Sequence, residues 1–305
     1  MAVKQIQFDL IPERPYSLAR TAARLVRFTQ VVDRMDADGQ YCRCLHLAGE
    51  LTLMSVSQSG SAAKATLHVT LTGIAPGGDA VRAAAERVVR RSLGAGCKLR
   101  SFYRALGDDP LLAKAIRAHR GMSLCGGATL FEAMLTSILA QQVNLKFAYS
   151  IYTELARGYG ERLEVEGETY VAFPTAERIA RVRESTLRNF RLSAAKAGAI
   201  HRIAAAFASG ELDAARLDAL PDEAVIERLV AYKGIGRWTA ETSMMRGMGR
   251  VDIFPAGDLG VIKKIAVEML GRTEAASEAE MREFSERWRP HRSLALIYAY
   301  KVLYG

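Results

Sequence analysis

The spacing of apolar residues changes about one third of the way along the chain. Up to residue 105, apolar and polar residues alternate in short runs between turn residues, a pattern typical of half-buried antiparallel strands. These runs are KQIQFDL, TQVVDR, QYCRCLHL, ELTLMSV and ATLHVTLTG. Helical spacing occurs at residues 16–27 and again at 80–93, after the glycine-rich turn IAPGGD. The pattern predicts an α+β N-terminal domain over residues 1–105.

From residue 108 onward, strand-like runs disappear and apolar residues recur at helical spacing. The clearest example consists of Leu130, Phe131, Met134, Leu135, Ile138 and Leu139. Helix starts are marked by Ser193, by Pro221 with Asp222, and by the capping-box pair Ser277 and Glu280. The segment ERLEVEGE, residues 161–168, has the composition of an acidic surface loop. We predict that residues 106–305 form an all-helical region.

The composition favours a folded protein of two domains. The chain has 305 residues, of which half are hydrophobic, and a mean hydropathy of +0.01. No apolar run reaches the ~18 residues that a membrane span needs, and the first ten residues lack the apolar stretch of a signal peptide. We therefore expect a cytoplasmic protein without a membrane partner.

The cysteines and histidines do not have the spacing of a metal site. The four cysteines form no C-x-x-C pair and the five histidines no H-E-x-x-H motif. His46 and His68 lie within strand-like runs, where packing or surface roles are expected. The cysteines are expected to be reduced, mostly buried thiols. We predict no transition metal and no iron–sulfur cluster.

The net charge of +9 suggests a polyanionic partner such as nucleic acid. The distribution of charge weakens that suggestion. Residues 1–118 carry 17 basic and 10 acidic groups, whereas the rest of the chain is close to neutral. Because a modest surplus of this kind is common on solvated surfaces, charge alone supports nucleic-acid binding only slightly.

A tight connection between two helices lies within residues 229–265. Gly234 and Gly236 flank Ile235 and allow backbone conformations that other residues resist, so the chain turns sharply before a helix that starts at Arg237. Unpaired amides at this helix start are suited to a phosphate, while Ile235 fills the core beneath the turn. A plain connection between packed helices is the alternative.

Asp258 follows the loop FPAG, 22 residues beyond Gly236, and precedes the apolar helix LGVIKKIAVEML. Two roles are open for its carboxylate. As an N-cap it would stabilise this helix by about 1 kcal/mol. As an ionised group favoured by the helix dipole, it would stabilise a cationic sugar or activate water. The two roles are compatible with each other.

Several segments in a fixed order together carry a resemblance to a known family. They are FEAMLTSILAQQVN (131–144), YGERLE, FPTAERIA, GIGRWTAE (234–241), DIFPAGDLGVIKK (252–264) and ERWRPHRSLALIYAY (286–300). In this combination the chain resembles the bacterial 3-methyladenine DNA glycosylase II (AlkA) group of the helix-hairpin-helix DNA glycosylase superfamily. The resemblance covers roughly residues 120–305 and implies a TATA-binding-protein-like fold for the N-terminal domain. The all-α helix-hairpin-helix glycosylase region follows it, with the hairpin itself at about residues 222–248.

The resemblance assigns roles position by position. Asp258 corresponds to the catalytic aspartate, and Trp238 and Tyr300 to aromatic positions of the base pocket. The DNA-binding hairpin includes Gly234, Ile235, Gly236, Arg237 and Thr239. Hairpin carbonyls hold a monovalent cation in relatives, which places its ligands here on the backbone of Val230, Tyr232 and Gly234. No other cofactor is implied.

Three positions differ from the family pattern. Trp238 stands where lyase relatives have a nucleophilic lysine, which indicates a monofunctional hydrolase that leaves an abasic site. Gln142 takes the place of the leucine that enters the vacated base stack, and it can both fill the gap and form hydrogen bonds. Thr242 replaces a pocket tyrosine of the best-known relative, so the substrate range cannot be transferred.

The expected function is therefore base excision repair of double-stranded DNA. The chain would act as a monomer that flips out alkylated purines of the 3-methyladenine or 7-methylguanine type and hydrolyses the N-glycosidic bond. Two alternatives stay open. One is a glycosylase for deaminated or oxidised bases. The other is a non-catalytic helix-hairpin-helix protein that binds DNA lesions.

Overall fold

The computed structural model describes residues 5–73 and 78–304. The first residue of the predicted strand KQIQFDL and most of the predicted turn IAPGGD lie outside these ranges. Within them, the helices are too short or too polar to cross a membrane.

An antiparallel sheet forms the centre of the N-terminal domain. Within the described residues it has five strands in the order β1-β5-β4-β3-β2. They are β1 (Gln5–Leu10), β2 (Asp33–Met35), β3 (Tyr41–Leu47), β4 (Glu50–Ser59) and β5 (Thr66–Thr72). Helices α1 (Leu18–Thr29) and α2 (Gly78–Ser92) share a buried core with the sheet that includes Phe8, Leu18, Val56 and Val89. The predicted α+β architecture is confirmed.

The first predicted helix is shifted toward later residues. Ser17 caps α1, because its hydroxyl accepts a hydrogen bond from the Arg20 amide. At the other end, the Thr29 hydroxyl donates to the carbonyl of Leu25, one turn earlier, and keeps this residue helical. The prediction that TQVVDR is a strand is therefore wrong in its first part, since β2 begins only at Asp33.

The rest of the chain is mainly helical. Its helices are α3 (Leu99–Leu106), α4 (Ala113–Ala118), α5 (Leu130–Ala140), α6 (Leu145–Tyr159), α7 (Ala176–Ala180), α8 (Glu184–Leu187), α9 (Ala194–Ala208), α10 (Ala214–Asp218), α11 (Asp222–Val230), α12 (Arg237–Ser243), α13 (Glu278–Ser285) and α14 (Arg292–Tyr304). Wider, π-helical turns occur at Met244–Met248 and Gly260–Met269. Single 3₁₀ turns occur here at Arg188–Phe190 and Glu286–Trp288, and another, Ala62–Lys64, lies between β4 and β5 of the N-terminal domain.

Helix α5 lies at the centre of the helical region. Residues 130–139 of this helix are all buried, and it packs against α6, α9 and α12. Helix-start predictions at two other positions are confirmed. The Ser193 hydroxyl accepts from the Lys196 amide at the start of α9. Ser277 and Glu280 form the reciprocal capping box of α13.

The prediction of an all-helical region and an acidic loop is wrong at residues 162–171. Strands β6 (Arg162–Val165) and β7 (Glu168–Val171) form an antiparallel hairpin there. Glu166 and Gly167 both have positive φ, 51° and 83°, as a two-residue hairpin turn requires. The buried Val165 packs against Cys42 and Leu53 of the N-terminal sheet. Tertiary burial therefore stabilises strands whose acidic composition suggested a loop.

A buried ion-pair cluster joins the two parts of the protein. Arg43 of β3 pairs through Nη1 with Oδ1 of Asp33 (2.8 Å) and through Nη2 with Oε2 of Glu132 on α5 (2.5 Å). All three side chains are buried. The Tyr152 hydroxyl and the Ala128 amide also donate to the Glu132 carboxylate, at 2.8 and 3.1 Å. The cluster fixes the N-terminal sheet against the start of α5.

All four cysteines are reduced and buried, as predicted. Their burial raises the thiol pKa, for example to about 12 for Cys44. The thiols are therefore neutral packing groups at physiological pH.

We predict that Arg43→Met lowers the free energy of unfolding by about 3–5 kcal/mol, because Asp33 and Glu132 would stay buried without their partner. Chemical denaturation at neutral pH measures this. The control is Arg34→Met, which removes an ion pair with the exposed Glu168 and is expected to cost about 1 kcal/mol or less. Equal losses in the two variants would contradict the assigned role of the cluster.

Candidate active site

The connection between α11 and α12 forms the predicted helix-hairpin-helix. Gly234 has a φ of +95°, and a Cβ at this position would lie 2.8 Å from the Cβ of Ala199 on α9. Glycine is therefore required here by both the backbone and the packing. Gly236 differs from our expectation, because its φ of −90° and ψ of 171° are open to any residue. A Cβ at Gly236 would meet nothing within 4 Å and would face outward.

Two hairpin side chains that were predicted to bind DNA are buried. Ile235 is 5% exposed and fills the core beneath the turn, as predicted. Thr239 is 2% exposed, which leaves only its backbone for a contact with DNA. No side chain within the described ranges caps α12, whose N-cap is Gly236. The first amides of α12 are thus suited to an anion.

Gln141 links α5 to the hairpin. Its Nε2 donates to the carbonyl oxygen of Gly234 and to Oγ1 of Thr239, both at 3.0 Å. The sequence interpretation selected its neighbour Gln142 and missed Gln141. The Gly234 carbonyl, a predicted cation ligand, therefore already accepts one hydrogen bond, and the Tyr232 carbonyl accepts another from the Ile235 amide. Each carbonyl oxygen keeps a second lone pair for a cation.

Gln142 lies at the exposed tip between α5 and α6 with a φ of +54°. Val143 and Leu145, which follow it, are also exposed, at 36% and 44%. Arg237, by contrast, is already paired with Glu223 (2.6 Å) and Glu241 (3.0 Å). A contact of Arg237 with DNA would have to share its guanidinium with these carboxylates.

Asp258, Trp238 and Tyr300 come together in space. Trp238 Nε1 donates to Oδ2 of Asp258 at 2.9 Å, and the Tyr300 hydroxyl donates to Oδ1 at 2.8 Å. The Gly260 amide also donates to Oδ1 at 2.8 Å. Asp258 thus satisfies one free amide at the start of the following helix, whose N-cap position is Leu259, one residue after the predicted one, and it also contacts both aromatic side chains. All three residues are partly exposed, so the carboxylate is not sealed inside the core.

The hydrogen bonds at Asp258 define its chemistry. Its carboxylate oxygens accept from three donors of the described chain, which is the bonding pattern of an ionised carboxylate. Burial, followed by the charge of Asp258 and their hydrogen bond, raises the pKa of Tyr300 well above its usual value. Tyr300 therefore stays protonated and acts as a donor over the physiological range.

Gly260 is a part of the site that the sequence interpretation missed. A Cβ at this position would lie 3.0 Å from Oδ1 of Asp258 and 3.0 Å from the Tyr300 hydroxyl. Glycine therefore allows the carboxylate and the phenol to approach the backbone of the helix start. A glycine two residues after an acidic N-cap was the available sequence signal.

Two arginines near Tyr300 were also missed. The charge of Arg246 lowers the pKa of Tyr300, opposing the effect of burial, and Nη1 of Arg246 lies 3.5 Å from the hydroxyl of Tyr149. Arg24 of α1 has a pKa lowered mainly by burial and further by Arg246, and its Nη1 is buried without a hydrogen-bond partner in the described chain. The Tyr149 ring stacks on Phe28 of α1, with ring centroids 5.1 Å apart. The N-terminal domain thus contributes side chains beside the candidate active site.

Thr242, the position that differs from the best-known relative, is only 4% exposed. Its Oγ1 is buried and has no hydrogen-bond partner among residues 5–73 and 78–304. The substitution therefore places an unpaired hydroxyl within the packed part of α12.

The geometry can be compared with known proteins. Residues 135–290 match the HhH-GPD superfamily of base excision DNA repair proteins. The chain belongs to this superfamily. A DNA-3-methyladenine glycosylase of Bacillus subtilis is 34% identical over 68% of this chain and 68% of its own length. DNA-3-methyladenine glycosylase 2 of Escherichia coli is 30% identical over 93% of this chain and 91% of its own length.

Solved structures show the same fold. A 3-methyladenine DNA glycosylase from Archaeoglobus fulgidus has a TM-score of 0.81 and 23% identity, and the match covers 96% of this chain and 97% of that one. MBOgg1 in complex with a low-affinity DNA ligand has a TM-score of 0.75 and 19% identity over 98% and 97% of the two chains. The superfamily match and the two relatives confirm the resemblance, and the sheet with its following helical region, together with the Archaeoglobus fulgidus neighbour, confirms the fold class inferred from the sequence. The individual site residues stay predictions.

We predict that Gly234→Ala destabilises the DNA-free protein by about 1–3 kcal/mol, since alanine is strained at positive φ and its Cβ would crowd Ala199. Gly236→Ala is the matched control and is expected to change stability by less than about 0.5 kcal/mol. Urea denaturation measures both. Similar losses would show that the two glycines do not differ in the way their backbone angles indicate.

Proposed function

We propose that this base excision repair protein is a monofunctional DNA glycosylase that releases alkylated purines from double-stranded DNA. The product would be an abasic site, and the enzyme would act as a monomer. The single observation that carries the proposal is the partly exposed Asp258 carboxylate, held by Trp238 and Tyr300 directly after the hairpin. The names of the relatives from Bacillus subtilis and Escherichia coli support the choice of substrate class.

One carboxylate suffices for this reaction. A purine methylated at N3 or N7 carries a positive charge and leaves without further protonation. The N-glycosidic bond breaks with its electron pair going to the base, and water adds to the sugar carbon. Asp258 would stabilise the cationic sugar and accept the proton of that water. Ordinary glycosidases need a second carboxyl because their leaving group must be protonated.

The aromatic side chains would serve the base rather than the sugar. Trp238 holds Asp258 through its indole N–H, a bond at the ring edge, and a face of the partly exposed ring would contact an extruded base. A cationic base against an aromatic face gains about 1–2 kcal/mol when water is excluded. The cost of extrusion is lowest for damaged or poorly paired bases, so selection begins before the base reaches the pocket.

The same contact supports a hydrolase without lyase activity. A lyase of this superfamily needs an amine at the position that Trp238 occupies, to form a Schiff base with the sugar. Here that position holds an indole whose N–H is engaged by Asp258. Water is then the nucleophile that remains.

The hairpin would hold the DNA backbone. The outward-facing Gly236 and the uncapped amides at the start of α12 are suited to a phosphate. A monovalent cation on the carbonyls of Val230, Tyr232 and Gly234 would strengthen this grip. Gln142, exposed at the loop tip, would enter the space that the extruded base vacates.

Arg24 and Arg246 favour deaminated purines as a second substrate class. Their charges would oppose a cationic base, whereas the unpartnered Nη1 of Arg24, which is buried in the DNA-free protein, would donate to a carbonyl oxygen such as that of hypoxanthine once an extruded base displaces its surroundings. A neutral base with an acceptor atom would therefore gain binding free energy from this hydrogen bond, whereas a methylated cationic base would not.

We predict that Asp258→Asn lowers release of 3-methyladenine from methylated duplex DNA by about 100-fold or more, since the amide can neither stabilise the cationic sugar nor accept a proton. Single-turnover release of the free base measures this. Binding to a duplex with an abasic analogue is the control and should persist. Release at the unchanged rate would refute the catalytic role, and binding without release from any lesion by the unmodified protein would favour a non-catalytic lesion-binding protein.

We predict that Arg24→Met lowers release of hypoxanthine more than that of 3-methyladenine, by about tenfold in the ratio of the two rates. Methionine keeps much of the packing volume but cannot donate a hydrogen bond. Arg27→Met, an exposed position in the last turn of the same helix, serves as the matched control. An unchanged ratio would exclude Arg24 from base selection.

A further inference from the structure

A cavity of about 530 Å³ lies where the N-terminal domain meets the helical region. Its lining from the N-terminal side of the chain includes Arg90 and Arg91 at the end of α2, and Cys97 and Lys98. The lining from the helical region includes Met248, Gly249, Val251, Pro290, His291 and Leu294. Asp258, Trp238 and Tyr300 are not part of its lining, so the cavity is separate from the candidate active site. Its volume is in the range of small-molecule sites, about 300–1,000 Å³.

The cavity carries positive charge without a matching negative charge. Arg90, Arg91 and Lys98 line it, whereas none of the described residues in its lining is acidic. Arg90 is paired with Glu86, at 2.9 Å between Nη2 and Oε1. The hydrogen-bond partner of the Arg91 guanidinium is a carbonyl oxygen, and among residues 5–73 and 78–304 it forms no ion pair. Asp218, which does not line the cavity, partly offsets its charge.

Arg91 is held in place by contacts that leave donor capacity unused. Its Nη2 donates to the carbonyl of Ala128 at 2.9 Å, and its Nε is buried with no partner among the described residues. Burial lowers the pKa of Arg91, and the charge of Asp218 opposes this shift. A guanidinium in this situation gains from an anionic partner, because charge-assisted hydrogen bonds are stronger than neutral ones.

The remaining walls are apolar or neutral. Leu124, Met248 and Leu294 supply buried hydrophobic surface. Burial raises the pKa of the Cys97 thiol to about 11 and lowers the pKa of His291, so both side chains are uncharged at neutral pH. The Nδ1 of His291 is buried and has no hydrogen-bond partner in the described chain. The cavity thus combines an apolar interior with a cationic edge.

We propose that this cavity binds a small organic anion, with a carboxylate or phosphate group paired to Arg91 and an apolar body against Leu124, Met248 and Leu294. The site takes no part in base release. Because its walls come from both parts of the protein, an occupant stabilises the docking of the N-terminal domain on the helical region. Binding to the folded protein alone raises its resistance to unfolding by mass action.

The test uses the full chain without DNA and the fluorescent sulfonate 8-anilinonaphthalene-1-sulfonate as the probe. We expect one equivalent of the probe to bind. Arg91→Met should raise the dissociation constant of the probe by about tenfold or more, because a hydrogen bond to a charged group is lost. Arg87→Met is the matched control: it lies one turn earlier on α2, is exposed and does not line the cavity, and should bind like the unmodified protein. The uncharged N-phenyl-1-naphthylamine should bind Arg91→Met and the unmodified protein equally.

Competition then tests the chemistry of the occupant. Displacement of the probe by phenylacetate or by phenyl phosphate supports the proposal and tells a carboxylate from a phosphate ligand, whereas displacement by neither overturns it. Unchanged probe binding in Arg91→Met, or an equal loss in Arg87→Met, also overturns it. Should Arg91→Met fail to fold, Ser101→Phe at the exposed rim is expected to block the probe. These titrations involve neither DNA nor base release, so their outcome is independent of the proposed enzymatic function.

Discussion

The carboxylate of Glu132 is the point on which the relation between the two parts of the protein depends. It accepts from Arg43 of the N-terminal sheet, from Tyr152 of α6 and from the Ala128 amide at the start of its own helix. Removing these charged groups from water is costly, and the ion pairs of Arg43 with Asp33 and Glu132 offset that cost, although Nε of Arg43 has no partner among the described residues. At the opposite end of the same helix, Gln141 holds the hairpin. Helix α5 therefore contacts the N-terminal sheet near one end and the hairpin proposed to bind DNA at the other.

The candidate site balances opposite charges within a small space. Asp258 is surrounded by neutral donors, Trp238, Tyr300 and the Gly260 amide, which fix its orientation without neutralising it. Arg246 contacts Tyr149, and its charge acts on Tyr300. In the proposed complex the Asp258 carboxylate would face the sugar, and the arginine charges would lie toward the base. This separation is why methylated and deaminated purines are expected to depend on different side chains.

Sequence reasoning succeeded where the chemistry of a single residue or a local pattern was decisive. Alternating runs identified the strands of the N-terminal sheet, and the segment around Asp258 stood out as an acidic residue between a loop and a helix. The catalytic role of Asp258 stays a prediction. Sequence reasoning failed where distant contacts decide. The hairpin β6–β7 is stabilised by Val165 packing on Cys42 and Leu53, which no local pattern could reveal. Arg24 lies on a helix more than two hundred residues before Tyr300, so only the folded chain brings them together.

The position of Trp238 has a spectroscopic consequence. The chain contains two tryptophans, and Trp288 is fully buried, with its indole N–H directed at Asp109. Trp238 is partly exposed and hydrogen-bonded to a carboxylate. Quenchers dissolved in water therefore reach the indole of Trp238 far more readily than that of Trp288. The intrinsic emission of the unlabelled protein therefore contains a steady contribution from Trp288 and a contribution from Trp238 that responds to changes beside Asp258.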